Sequence, residues 1–301
     1  MKNNNFRIST HKLAEICGVS QGTVDRALNN RGDISEKTKE KILSVAREYG
    51  YMDERIEKPR LIGVVMFDLY NEYFSELIMY MEHEFKKLGY SIVVMFTDKN
   101  AHKERKCLRE LYYMGVDGIV ICPVGEGEEF CKYLKSFKIP IITVGNRVRG
   151  ISYVGIDNFR AMYEGCMSFS DGSRFIYYAP SLNATGNNSA QRERCDGFIK
   201  AAKDKKSEYT IVYNINELKQ AILSITKPVI ICPSDYYIMS VKEVCPNAQI
   251  MGFDNINAVK MFGGTIKTID GNSVGVASAV AHNILNGISD DVVLDHKIIN
   301  P

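Results

Sequence analysis

From residue 61 onward, short apolar runs alternate with stretches of helical spacing, and this pattern restricts the fold more than any other feature of the 301-residue chain. LIGVVMF (61–67), YSIVVMF (90–96), DGIVICP (117–123) and IPIITV (139–144) carry almost no polar alternation. A strand apolar on both faces needs cover on both faces, which is the situation of a parallel sheet between helical layers. The spacing predicts a helix over 72–88, with Phe74, Leu77, Ile78, Met81, Phe85 and Leu88 inward, and further helices over 103–114 and 126–137. The pattern restarts after Asp157 with a helix, RFIYYA (174–179), a helix near 190–203 and YTIVY (209–213). PVIICP (228–233), QIMGF (249–253) and GTIKTI (264–269) complete a second set. Two Rossmann-like α/β lobes, each a doubly wound parallel sheet, are expected.

Residues 8–51 are organised differently. Ser9 or Thr10 is placed to cap a first helix with Leu13, Ala14 and Ile16 on its apolar side, and Gly18 ends it. Ser20 caps a second helix running to about Leu28. Ser35 caps a third, with Ile42, Val45, Ala46 and Tyr49 on one face and Gly50 after it. A helix, a tight glycine turn and a second helix form the layout that lets the second helix enter a DNA major groove. Such a trio also occurs as plain structure. Two features favour DNA: Gln21, Gly22, Thr23 and Arg26 at the start of the second helix, followed by Asn29 and Arg31, and the local charge. Residues 1–60 hold twelve Lys/Arg against nine Asp/Glu, whereas 61–301 hold 26 against 27, so the positive excess sits at the head.

Other function classes find little support. No GxSxG, phosphate-cradling GxxxxGK[ST], HExxH or CxxC spacing occurs, so no catalytic residue, metal site or cofactor is expected. The eight cysteines (17, 107, 122, 131, 166, 195, 232, 245) are scattered and read as small core residues of a reducing, cytoplasmic compartment. No run reads as a signal peptide or a membrane span, and no membrane partner is expected.

The segments LAEICGVSQGTVDRALN and IS-KTKEKIL-VA-E-GY resemble the head of the LacI/GalR family of transcriptional repressors. The resemblance implies base reading by Gln21 and Gly22, and contacts to backbone and bases by Thr23 and Arg26. Ser9, Ser20, Asn29 and Arg31 complete the expected DNA-contacting set. Asp25 departs from the serine usual in the family, and an acidic group beside a phosphate is repulsive. The body resembles the family through LIGVVMF, NEYF, LGYSIVV, GVDGIVICP, IPIITVGN, VGIDN, RERCDGF, MGFDN and GTIK. That implies a periplasmic binding protein-like body of two lobes clasping a small ligand, with three chain crossings. Lobe 1 would span about 61–157 and 270–290, and lobe 2 about 158–269 and 291–301, the latter including the last strand VVLDHKII.

In open parallel sheets, ligands bind beyond the carboxyl ends of the strands. Those ends carry Asp68, Asp98, Asn146, Asp157, Asp235, Asp254 and Asp270, most of which serve simply as caps of the next helix. Better candidates combine polar groups with aromatic faces: Tyr73 and Phe74 after the first strand, Arg194 at a helix start, and Asp254. An arginine fork, a carboxylate and aromatic rings can grip a hydroxyl-rich ring or a nucleobase. The family resemblance implies the same four as effector contacts and adds Asn146, Ser234 and Thr268, positions where the usual family residue has changed. It also implies a hinge helix after the head. The linker at 52–60, MDERIEKPR, holds nine residues, with Pro59 near its end and no leucine wedge, so a shortened or absent hinge is expected.

Together these readings predict a homodimeric, sequence-specific DNA-binding repressor on a palindromic operator, controlled by a small molecule (a sugar, a sugar derivative or nucleobase-like) between the lobes. The alternative is a DNA-binding regulator controlled by a protein partner, with a vestigial cleft.

Overall fold

A computed structural model describes residues 8–29, 34–49, 51, 59–225, 227–262 and 266–301. Arg31, Gly50, residues 52–58 of the linker and residues 264–265 of GTIKTI lie outside the described residues. The chain divides into two compact units, Met1–Pro59 and Arg60–Pro301.

The first unit contains α1 (Thr10–Cys17), α2 (Gln21–Leu28) and α3 (Glu36–Glu48). Ser9, Ser20 and Ser35 cap them through their hydroxyls, accepting from the N–H of Lys12, Thr23 and Thr38. Gly18 ends α1 at φ 67°, the left-handed conformation that turns the chain directly into α2. Leu13, Val24 and Ile42, one from each helix, are fully buried at the centre, with Ala14, Cys17, Ala27 and Ala46 around them. Each large aliphatic buried this way contributes about 1.5–3 kcal/mol. Ile16, expected on the apolar side, is instead 36% exposed, because Cys17 takes the core position one residue further on. Tyr49 is likewise exposed.

In the second unit, β1 (Leu61–Met66), α4 (Glu72–Lys87), β2 (Ser91–Phe96), α5 (Ala101–Met114), β3 (Gly118–Ile121), α6 (Gly127–Lys135), β4 (Ile141–Thr143) and β5 (Ser152–Ile156) build lobe 1. The chain then crosses into α7 (Asn158–Met167), β6 (Phe175–Tyr178), α8 (Ser189–Asp204), β7 (Tyr209–Val212), α9 (Ile215–Leu223) and β8 (Val229–Ile231). A 3-10 turn (Asp235–Tyr237) leads to α10 (Ile238–Val244), β9 (Gln249–Met251), α11 (Asn257–Lys260) and β10 (Thr268–Asp270). It returns to lobe 1 with α12 (Ser273–Asn286) and β11 (Val292–Leu294), and crosses a third time to β12 (Lys297–Ile299).

The lobe 1 sheet has the order β11-β5-β4-β3-β1-β2 and the lobe 2 sheet β7-β6-β8-β9, with every pairing in both parallel. Helices α4 and α12 cover one face of the first sheet over Leu77, Met81 and Phe85, while α5 and α6 cover the other over Leu108, Leu111 and Phe130. Cores on both faces of the second sheet complete the doubly wound pattern. The C-terminal segment corrects one expectation. VVLDHKII is two strands: β11 extends the lobe 1 sheet beside β5, and only β12 reaches lobe 2, where it pairs antiparallel with β10. All eight cysteines are free, and six are buried. No helix of the described residues is long and apolar enough to cross a membrane.

Candidate DNA-reading helix and interlobe cleft

Helix α2 turns its buried side, Val24 and Ala27, into the head core and leaves Gln21, Gly22, Arg26 and Asn29 exposed. The Ser20 hydroxyl bonds Thr23 Oγ1 at 2.8 Å as well as capping its N–H, which fixes the first turn. Gln21 Nε2 donates to Thr10 Oγ1 at 2.9 Å, tying the front of α2 to α1. Gly22 has only Ser20 Oγ near the position a Cβ would take, so the surface there is open. Asn29 Nδ2 donates to Asp25 Oδ1 at 2.8 Å, and an amide proton therefore faces the acidic group that departs from the family pattern. Ser9 is engaged as a cap and stays exposed.

Between the lobes lies a cavity of about 210 Å³. Its polar centre is Asp254, on the turn after β9, at φ 110°, a backbone conformation L-residues rarely adopt. Its N–H donates to Ile269 O at 2.8 Å, anchoring the turn to β10. Arg194, on α8, places Nη1 3.5 Å from Asp254 Oδ1; their side chains are 11% and 3% exposed. Arg194 also donates from Nε to Asn158 Oδ1 (2.8 Å) and from Nη1 to Pro233 O (2.6 Å), and its guanidinium lies 3.5 Å from the centre of the Phe253 ring. Ser234 Oγ donates to Asp254 Oδ2 at 2.7 Å. From lobe 1, Asn71 Nδ2 reaches the same Asp254 oxygen at 3.1 Å and Ser234 Oγ at 3.2 Å, while its Oδ1 caps α4 by accepting from Tyr73 N. Burial pushes the Asp254 carboxyl up from the ordinary aspartate range, against the opposing pull of Arg194, Ser234 and Asn71.

Lobe 1 supplies one aromatic wall of the cavity. Phe74 meets Phe67 edge-on at 4.8 Å and Tyr73 at 5.2 Å between ring centres. Burial raises the Tyr73 phenol well above its ordinary range. Cys122 lines the same cavity, its thiol pushed up to about 12 by burial.

Asn146 and Thr268 differ in role from the other expected contacts. Asn146 lines the cavity, yet its amide is committed: Nδ2 donates to Pro123 O (3.3 Å) and, across the lobes, to Asn187 O (2.7 Å), while Oδ1 accepts from Ala190 N (3.2 Å). Asn187 returns the brace from lobe 2 through its N–H to Val124 O at 2.8 Å and its Nδ2 to Arg147 O at 2.8 Å. Thr268 does not line the cavity. Its hydroxyl bonds both oxygens of buried Asp235 at 2.9 Å and accepts from Asn255 N, so it supports the Asp254 turn from behind. Burial, then the neighbouring Asp254 charge, push the Asp235 carboxyl well above the ordinary range.

Of the expected set, the cavity therefore gathers Tyr73, Phe74, Asn146, Arg194, Ser234 and Asp254. Sequence reasoning missed Asn71, Tyr153, Asn158 and Asn187. Asn71 opens NEYF and reads locally as a helix cap; its second bond, across 183 residues, has no local signal. Among the described residues no cluster of three or more His, Cys, Asp or Glu could hold a metal ion.

A helix-turn-helix head followed by two parallel-sheet lobes around a polar, aromatic-walled cavity defines a two-part regulator: one unit built to meet DNA, the other built like a binding protein. The chain belongs to the LacI family. Residues 11–53 match the profile of bacterial regulatory proteins of the lacI family, and residues 60–234 match that of periplasmic binding proteins and the sugar binding domain of the LacI family. Over 315 residues it is 25% identical to the NTD biosynthesis operon regulator NtdR of Bacillus subtilis (strain 168), covering 96% of this chain and 95% of that protein. It is 23% identical over 314 residues to a sucrose operon repressor of Pediococcus pentosaceus, with coverage of 96% and 95%. The fold matches that of the Lac repressor bound to ONPG in its repressed state, with a TM-score of 0.76 at 16% identity over 98% of this chain and 99% of that one. The protein is a DNA-binding transcriptional regulator, not an enzyme.

Proposed function

We propose that the protein is a homodimeric repressor whose operator affinity is set by a small hydroxyl-bearing or nucleobase-like ligand held between the lobes. The observation that carries this reading is the Arg194–Asp254–Ser234–Asn71 cluster, which joins both lobes at the polar centre of an aromatic-walled cavity. A ligand hydroxyl or ring nitrogen that took over the Asn71 bonds would change the balance between lobe arrangements. Ligands act on such equilibria only through differential affinity for the two states. In the head, Gln21 and Gly22 would read bases, Ser9, Ser20, Thr23 and Arg26 would hold phosphates and base edges, and Asn29 would order the end of the helix. The short linker at 52–60 would give less DNA bending than a full hinge helix, with coupling carried by head placement.

A thermal-shift screen of the full-length protein against sugars, polyols, nucleosides and purines tests the cleft. A cleft ligand raises the melting temperature by mass action, and Arg194→Ala is expected to abolish the shift. A shift that survives in this variant would place the ligand elsewhere. The direct bonds between lobes also favour a second reading, control by a protein partner, in which Asn71 permanently occupies the ligand's place. That reading predicts no shift across the panel and a gain in operator affinity on adding the partner.

A further inference from the structure

Between Glu129 and Asp157 the chain carries no Asp or Glu, the longest such interval in the sequence, yet it holds Lys132, Lys135, Lys138, Arg147 and Arg149. Arg147 is neutralised, with Nε 3.4 Å from Glu193 Oε1 and Nη1 3.5 Å from Asp291 Oδ2. The other four are exposed and make no ion pair with any described residue. They form one patch. Lys132 and Lys135 stand three residues apart on α6, as neighbours on the helix surface. Gly150 packs beside that helix: a Cβ there would lie 3.3 Å from Cys131 Sγ and 3.4 Å from Lys135 Nζ, which brings Arg149 to the same surface. Lys138 follows α6 on the way into β4. A cation in the last turn of a helix offsets the helix dipole, which accounts for Lys132 and Lys135 but not for Lys138 and Arg149, both outside the helix.

The place of the patch in the fold selects its partner. All strands of a parallel sheet start at one end, and Lys138 and Arg149 shortly precede β4 and β5. Arg60, the first residue of the body, precedes β1 at that same end. Only β3 separates β1 from β4, so the two strand starts are two strand spacings apart, ~10 Å. The helix-turn-helix head is joined there through residues 52–60, a tether that reaches ~30 Å at most. A duplex gripped by the head therefore meets this end of the body at high effective concentration. The head itself brings only a small excess of positive charge, twelve Lys/Arg against nine Asp/Glu in residues 1–60, and Asp25 stands on α2. A duplex carries one negative charge per ~1.7 Å of its axis, and four free cations at the tethered end complement it.

We propose that this patch on lobe 1 is a second DNA-binding surface, which holds phosphates of the same duplex whose bases the head reads. Lys132, Lys135, Lys138 and Arg149 supply charge contacts that are independent of sequence, and base selection stays with α2.

The test is the salt dependence of binding, followed by anisotropy with the full-length protein on its selected operator duplex. Each phosphate contact adds ~0.9 to the steepness of log affinity against log salt. The fourfold variant Lys132→Gln/Lys135→Gln/Lys138→Gln/Arg149→Gln is expected to lower that steepness by ~2–4, and to weaken a scrambled duplex by the same factor as the operator. The double variant Lys138→Gln/Arg149→Gln, which leaves α6 intact, is expected to lower it by ~1–2 and stays decisive if the fourfold variant melts early. A control with the same change of net charge, Lys203→Gln/Lys206→Gln/Lys219→Gln/Lys227→Gln, alters exposed lysines of lobe 2 and is expected to keep the wild-type slope. A wild-type slope in the double variant, or a control that lowers the slope as much as the fourfold variant, overturns the proposal.

Discussion

Asp254 faces the interlobe cavity and Asp235 stands behind it, so the cleft is shaped in part by a carboxyl that does not line it. Asp254 bonds toward the cavity, to Arg194, Ser234 and Asn71, while Asp235 bonds away from it, to Thr268 and Ile256 N. Both carboxyls are raised by burial, and the charge of Asp254 adds to the rise at Asp235. A carboxyl whose folded-state pKa exceeds its unfolded value binds its proton more tightly when folded. It therefore adds stability below the ordinary aspartate range and loses it as pH rises through the raised value. Replacing Asp235 with Asn removes that loss and keeps a similar hydrogen-bonding shape. Melting temperatures taken from about pH 4 upward should fall less with pH in Asp235→Asn than in the wild type; parallel curves would refute the assignment. At this scale the sequence singled out polar and aromatic residues at strand ends and at the starts of the following helices, and Arg194, Asp254, Ser234, Tyr73 and Phe74 all line the cavity. It could not show that Thr268 points behind the turn, because one residue of register along β10 decides which side a hydroxyl faces.

At the level of elements, closeness between α7 and α8 is decided by one residue. A Cβ on Gly197 would stand 2.2 Å from the carbonyl oxygen of Phe159, a backbone atom that cannot swing aside. Gly197→Ala should therefore force the helices apart at a cost of about 1–3 kcal/mol. Because α8 carries Arg194 and α7 carries Asn158, the same change should weaken ligand binding; a chemical-denaturation midpoint unchanged from wild type would count against this. Helix α2 makes a different prediction. Gln21 is exposed and braced by Thr10, so Gln21→Ala should cost about 1–3 kcal/mol in operator binding and relax selection at one base position. Selection from randomised duplexes checks this by comparing the recovered half-sites. The apolar runs were the most legible elements, since both-face burial leaves an uninterrupted signature. β5 was not, because SYVGI mixes Ser and Gly into a strand buried along its whole length. β11 and β12 merged into one expected strand because Asp295 and His296, which break them, do not by themselves mark a change of lobe.

For the whole molecule, the chain divides into Met1–Pro59 and Arg60–Pro301, the first holding capped short helices and the second alternating apolar strands and helices. Family membership accounts for the head and for the body fold. In the cleft, Asn71 from one lobe bonds Asp254 and Ser234 from the other, so on the function proposed above ligand occupancy and lobe arrangement would share the same hydrogen bonds. The most direct test of that coupling is an anisotropy titration of the full-length protein on its selected operator duplex, with and without the ligand found by the thermal-shift screen. The account predicts that saturating ligand changes the operator dissociation constant by about tenfold or more, a coupling within the ~1–3 kcal/mol typical of allosteric proteins. It also predicts that Arg194→Ala binds the operator but no longer responds. Superimposable wild-type isotherms with and without ligand would contradict it.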